Sequence, residues 1–184
     1  MAHTDGASLN VHLSLADVDG SRRRPSMTTR RTGGGWRGAE YHIRITFRVP
    51  LDFAFAWCTD FSPEDGKLEG ETYRRKIVER RPRRVVFEDL EETKDGWQWS
   101  RDTVRLQPPN RWHMDAVGNR RDARADYLLA RLPDGRTQLD LRWRRRPRVP
   151  AAGKLTKAQR EASTLLAWKR FRAAMERDYR RSRR

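Results

Sequence analysis

Apolar and polar residues alternate with period two through most of this 184-residue chain, then switch to three- and four-residue spacing towards its end. Tyr41, Ile43, Ile45, Phe47 and Val49 alternate with His42, Arg44, Thr46 and Arg48, which predicts a half-buried strand ended by Pro50. Leu51 to Cys58 is dense in apolar residues and predicts a short helix with Asp52 as its cap; a second short helical turn and a loop follow over 59–66. Six strands are then predicted at hairpin spacing, over 71–80, 84–92, 97–106, 111–118, 123–132 and 137–145. Turn signals separate them, among them Lys94-Asp95-Gly96 and Pro133-Asp134-Gly135. Thr156 and Gln159 have capping-box spacing and open a long helix to about Arg181. Ala158, Ala162, Leu165, Trp168, Phe171, Met175 and Tyr179 form its apolar stripe. The element order β-α-α-β6-α predicts an α+β fold: a seven-stranded antiparallel meander, its first strand pairing with its last, covered on one face by the terminal helix.

Charge changes this picture less than its size suggests. The chain carries 41 Lys+Arg against 25 Asp+Glu, a formal +16, which invites nucleic acid or an anionic membrane as partner. Residues 1–38 hold six Arg and three Asp; they combine Ser, Thr and a Gly33-Gly34-Gly35 run without apolar period, and are expected to be a disordered basic extension, with Met27 as an alternative start. Residues 154–184 hold eleven cations and three anions, half of the excess, ending in Arg180-Arg181-Ser182-Arg183-Arg184. The intervening body has 24 cations and 19 anions. It is highly charged but only mildly basic, so the expected domain is 39–184 and the basic surface is the outer face of the last helix, with Lys169, Arg170, Arg177, Arg180 and Arg181.

Composition excludes several chemistries. The single Cys58 rules out an internal disulfide framework and a Cys-rich zinc site, and its apolar helix makes it a packing thiol rather than a nucleophile. No apolar run reaches the ~18 residues of a membrane span, and no signal-peptide pattern follows Met1, so a cytoplasmic protein is expected. His3 and His12 fall in the extension; His42 and His113 sit opposite the apolar faces of their strands, where solvent is expected. Gly33-Gly34-Gly35 lacks a preceding strand and a following Lys-Ser/Thr, so it is not a phosphate loop. No metal-ligand spacing and no catalytic motif is present; neither metal, cofactor nor catalytic residue is expected.

The stretch TFRVPLDFAFAWCTDFSPED, residues 46–65, carries a strand, a Val-Pro break, an apolar helix and a Thr-Asp-Phe entry to a loop. With the strands and terminal helix, it resembles the START/SRPBCC superfamily over about residues 39–183. That superfamily has the helix-grip fold and includes birch-pollen-allergen-like proteins and the polyketide cyclase/dehydrase-like lipid-transport group. The resemblance implies a curved sheet wrapped around the long helix, with an apolar cavity between them for a lipid, isoprenoid or polyketide-like molecule. The aromatic supply suits such a cavity, although large aromatics also fill ordinary cores. Phe55, Tyr73, Trp112, Met114 and Tyr127 are candidate cavity residues, as are Trp143, Leu165, Trp168 and Met175. Trp97, Trp99 and Arg101 share one strand face. If that face lines the cavity, Arg101 meets a carboxylate or phosphate headgroup while the indoles contact an apolar tail; the competing arrangement is an outward Arg101 paired with a neighbouring-strand Glu. The leading function is therefore binding or carriage of a hydrophobic small molecule without catalysis. The alternatives are an RNA-, ribosome- or anionic-membrane-docking module using the basic helix, and a cyclase- or dehydratase-type enzyme resting on family analogy alone.

Overall fold

A computed structural model describes Trp36 and residues 39–69, 73–93, 96–149 and 155–184. Strand β1 (Glu40–Phe47) leads into α1 (Leu51–Cys58) and α2 (Asp65–Glu69). Strands β2 (Arg74–Arg81), β3 (Arg84–Thr93), β4 (Gly96–Gln107), β5 (Arg111–Gly118), β6 (Arg121–Arg131) and β7 (Thr137–Pro147) follow, then α3 (Lys157–Ser182). The sheet order is β1-β7-β6-β5-β4-β3-β2, with neighbouring strands antiparallel. This is the α+β helix-grip arrangement, with α3 against the inner face of a curved seven-stranded sheet. Residues 1–35, and with them most of the expected disordered extension and Met27, lie outside the described residues. Trp36 itself packs on the outer sheet face, where Arg124 and Arg146 sit 5.2 and 5.5 Å from its ring centroid.

The turn chemistry follows from backbone requirements. Gly135 (φ 80) and Gly96 (φ 97) take left-handed conformations that a Cβ resists; Lys94 and Asp95 of the second turn are outside the described residues. Strand β2 begins at Arg74, later than the pattern predicts, and its register shifts between Ile77 and Glu79. Val78 alternates with Ile77 and points outward, to 42% exposure. Helix α1 also departs from expectation: Pro50 is its N-cap, without a side-chain cap bond, and Asp52 lies in the first turn. There its charge faces the helix dipole instead of capping it.

Helix α3 starts with the expected capping box. The Gln159 backbone N–H donates to Thr156 Oγ1 (3.2 Å), and the Thr156 N–H donates to Gln159 Oε1 (2.9 Å). Its buried stripe is Ser163, Thr164, Ala167, Trp168, Phe171, Ala174 and Met175. Ala158 and Ala162, expected on that stripe, are exposed; small polar residues take their place where the helix approaches β1. All three acids of residues 154–184 point back to the body. Glu161 accepts from the His42 N–H (2.8 Å), Glu176 from the Arg48 N–H (2.9 Å), and Asp178 from the Trp57 indole N–H (3.2 Å). Phe47, Leu129, Leu139 and Met175 are fully buried where helix and sheet meet.

Candidate ligand-binding cavity

The inner sheet face is built in cross-strand rows. One row is bulky: Leu106, Trp112, Tyr127, Leu141 and Ile43 pair in sequence across five strands. Two rows away lie Phe87, Asp102, Ala116 and Ala123, and in the next Arg75, Asp89, Ser100 and Gly118. Small side chains in these last rows leave space beneath α3. The result is a cavity of about 140 Å³. Its apolar wall comes from Trp57 and Cys58 of α1, Phe61, Phe87, Trp112, Met114, Ala116, Ala123 and Tyr127, and Trp168 and Phe171 of α3. The walls are tied by ring contacts. Trp112 stacks on Tyr127 at 4.6 Å between centroids, and Trp57 meets Phe171 edge-on at 6.0 Å. Phe61 holds a left-handed φ of 49 and rests against Phe87 at 5.4 Å. That conformation costs about 1–3 kcal/mol outside glycine and persists where packing fixes it.

One end of the cavity is polar: Asp65, Arg75, Asp89, Ser100, Asp102 and Arg121 line it. Arg75 and Asp89 form a bidentate pair, Nε to Oδ1 and Nη2 to Oδ2, both 2.9 Å, with side-chain exposures of 5% and 1%. Arg75 Nη1 also donates to Asp65 Oδ2 (2.7 Å), and Nη2 to Tyr73 Oη (3.1 Å). The Phe87 ring lies 4.1 Å from the guanidinium carbon. Burial opposes the Arg75 charge, but the Asp89 hydrogen bonds and neighbouring carboxylate charges more than offset it and push its pKa up. Asp102, also buried, accepts from the Ser100 hydroxyl at 2.8 Å. Burial pushes the Cys58 thiol up, so it stays protonated and unreactive at the cavity wall.

No family model and no curated protein sequence matches the chain. Solved structures do. An aromatase/cyclase, ZhuI from Streptomyces sp. R1128, superposes with a TM-score of 0.60 at 17% identity, covering 79% of this chain and 96% of that one. A START superfamily protein from Mycobacterium smegmatis gives 0.57 at 13% identity, over 76% and 95%. Ara h 8.0201 gives 0.55 at 12%, over 74% and 97%. The chain shares the helix-grip fold of these structures.

Within this helix-grip fold, the residues expected at the cavity separate into three groups. Trp112, Met114, Tyr127 and Trp168 line it. Phe55, Trp143, Leu165 and Met175 pack in or against the apolar core: Phe55 meets Trp112 edge-on, Trp143 stacks on Tyr41, and Met175 has no exposure. Tyr73 stands behind the polar end, bonded to Arg75. Trp97, Trp99 and Arg101 need correction as cavity candidates. Trp97 and Trp99 are 51% and 38% exposed, and Arg101 pairs with Glu88 at 3.4 Å. Strand β4 turns Ser100, Asp102 and Val104 inward instead, so its alternate residues point out. The basic residues Lys169, Arg170, Arg177, Arg180 and Arg181 are exposed on α3. His42 and His113 lie opposite the core, each against carboxylates. His42 Nε2 is 3.0 Å from Asp140, and His113 is 2.7 Å from Asp126 and 3.2 Å from Asp115. Among the described residues no group of three or more His, Cys, Asp or Glu is placed to hold a metal ion, and no helix is long and apolar enough to cross a membrane.

The polar end was not singled out from the sequence, although a signal existed. Asp89 is in phase with Val85 and Phe87 on β3, and Asp102 with Val104 and Leu106 on β4. A charged residue in phase with a buried apolar set marks an inward charge.

Proposed function

We propose that this chain binds a hydrophobic small molecule in the cavity between the sheet and α3. The observation that carries the reading is the cavity's division into an aromatic wall and a buried, hydrogen-bonded polar end. Small-molecule sites combine apolar linings with a few placed polar groups that fix orientation. Binding is preferred to a cyclase or dehydratase activity because Arg75 and Asp89 neutralise each other. Such a pair holds a polar group in place and is poorly suited to transfer a proton. The test uses the purified full chain. Native mass spectrometry and solvent extraction should recover a co-purified apolar molecule, or titration with the neutral fluorophore N-phenyl-1-naphthylamine should quench the tryptophans at the wall. A chain that retains nothing and does not respond to the fluorophore would not be a carrier.

A second reading is docking of α3 on an anionic membrane. It is favoured by the inward turn of Glu161 and Glu176, which leaves Asp178, between Arg177 and Arg181, as the acid beside Lys169, Arg177, Arg180 and Arg181 on the outer face. Each cation near an anionic bilayer contributes about 1 kcal/mol. Co-sedimentation with phosphatidylserine vesicles but not with neutral vesicles, weakening as salt rises, is expected. Salt-sensitive retention on RNA with none on vesicles would assign the face to nucleic acid instead.

A further inference from the structure

We propose that Arg145 and Arg160 hold an oxyanion, a phosphate or carboxylate-like group, where the end of β7 meets the first turns of α3. The inference goes beyond the binding reading above and does not depend on it. The sheet brings the parts together. Trp143 and Arg145 follow one another on the inner face of β7, with Tyr41 of β1 opposite Trp143 and Ala123 of β6 opposite Arg145. Ala123 lines the cavity, as does Arg121, the preceding residue on the same face of β6. Arg160 comes down from α3, its guanidinium carbon 5.6 Å from the Tyr41 ring centroid, and Tyr41 in turn stacks on Trp143 at 5.2 Å. Two half-buried guanidinium groups thus share one corner beside the cavity.

The corner lacks the counter-charge that two such groups need. Each has a buried N–H that meets no acceptor, Nη1 of Arg145 and Nε of Arg160. The acids on the surrounding elements are engaged elsewhere: Glu161 by the His42 N–H and Lys157, Glu40 by Arg144, and Asp122 by Arg146 and Arg148. Burial, together with the Arg160 charge, pushes the Arg145 pKa down to about 10 against the opposing effect of Tyr41. A buried donor without an acceptor costs its full desolvation, so native structures complete such groups with water or an ion. Water would satisfy the two donors but leave the like charges uncompensated. An oxyanion does both, accepting charge-assisted hydrogen bonds from each guanidinium and cancelling their repulsion.

The experiment titrates the full chain with inorganic phosphate at pH 7, with sodium chloride adjusted to hold ionic strength constant, and follows the heat of binding and the melting temperature. The wild type should bind phosphate saturably and melt higher as phosphate rises, because a ligand held only by the folded state stabilises it. Arg145→Gln and Arg160→Gln should each weaken phosphate binding at least about tenfold, the loss of a hydrogen bond to a charged group. The two variants lie on different elements, so a folding defect in one leaves the other to decide. Arg131→Gln, an exposed arginine at the far end of β6, should bind phosphate as the wild type does. A matched pair of probes, N-phenyl-1-naphthylamine and its sulfonated analogue 8-anilinonaphthalene-1-sulfonate, distinguishes the source of the oxyanion. Tighter binding of the sulfonate, competed by phosphate and lost in Arg145→Gln, assigns the group to the acidic end of the cavity's own ligand. Equal binding of the two probes, neither displaced by phosphate, assigns it to a free ion. No phosphate response beyond that of chloride, or a response that both variants keep, would overturn the proposal. The neutral probe tests the binding reading separately.

Discussion

Arg75 is the residue on which the polar end depends. Its guanidinium sits between an aromatic face and two carboxylates, and Asp89 opposite it is almost wholly buried. Truncating one member of such a pair leaves the other as an uncompensated buried charge. Arg75→Leu should therefore cost about 3–5 kcal/mol in urea unfolding. Arg75→Lys should recover only part of this, because an ammonium cannot reproduce the parallel Nε and Nη2 bonds. A double variant, Arg75→Leu with Asp89→Leu, should be more stable than Arg75→Leu alone; equal stability would mean the cost is lost packing and not a stranded charge. A second residue, Asp140, ties stability to pH. Burial raises its pKa, but hydrogen bonds from Arg44, His42 and Arg142 prevail and lower it from 3.8 to about 2. A depressed folded-state pKa gives stabilisation that is complete above the unfolded value and is lost as pH falls through the folded one. Between about pH 4 and pH 2 the wild type should thus lose stability that Asp140→Asn does not, as acid titration followed by circular dichroism would show.

At the scale of elements, α3 is held by its acids as well as by its apolar stripe. Asp178 accepts the half-buried Trp57 indole N–H, joining α3 to α1 at the cavity wall. Asp178→Ala should cost about 1–2 kcal/mol, the penalty for a donor left without its partner, and should alter the near-ultraviolet signal of Trp57. An unchanged signal would mean that α1 is positioned by the Phe53–Tyr179 and Trp57–Phe171 ring contacts alone. The same elements show what a sequence can reveal. Strands β1, β5, β6 and β7 alternate cleanly, and their inward residues were legible because one face had to be apolar. Strand β4 was misread. Its most conspicuous apolar residues, Trp97 and Trp99, lie on the solvent face, while Ser100 and Asp102 lie on the buried one. Binary patterning assumes that burial tracks hydrophobicity, and a cavity with a polar end inverts that relation. Strand β2 was hard to read in a similar way, because the charged Arg75 takes an inward position beside Ile77 while Val78 falls on the outer face. Helix α3 was legible at Trp168, Phe171 and Met175, but less so at Ser163 and Thr164, whose burial reflects close helix–sheet approach and not side-chain polarity.

For the whole molecule, the question is whether space and charge were placed for one purpose. The cationic excess stands on the outside of α3, with that helix's acids turned inward, whereas the cavity carries more carboxylates than guanidiniums. Filling the cavity separates binding from the fold. Ala116 lies at its wall, in the row where small side chains leave the space. Ala116→Leu should occupy part of that volume without removing an existing contact or hydrogen bond. Cavity-filling changes commonly add about 0.5–2 kcal/mol of stability, so the variant should melt at or above the wild-type temperature. It should also lose at least about tenfold in affinity for N-phenyl-1-naphthylamine, because a displaced ring loses burial worth more than 1.4 kcal/mol. Stability gained together with affinity lost would show that the space is kept open at the expense of the core. A variant that is destabilised and still binds would instead place the ligand elsewhere on the sheet.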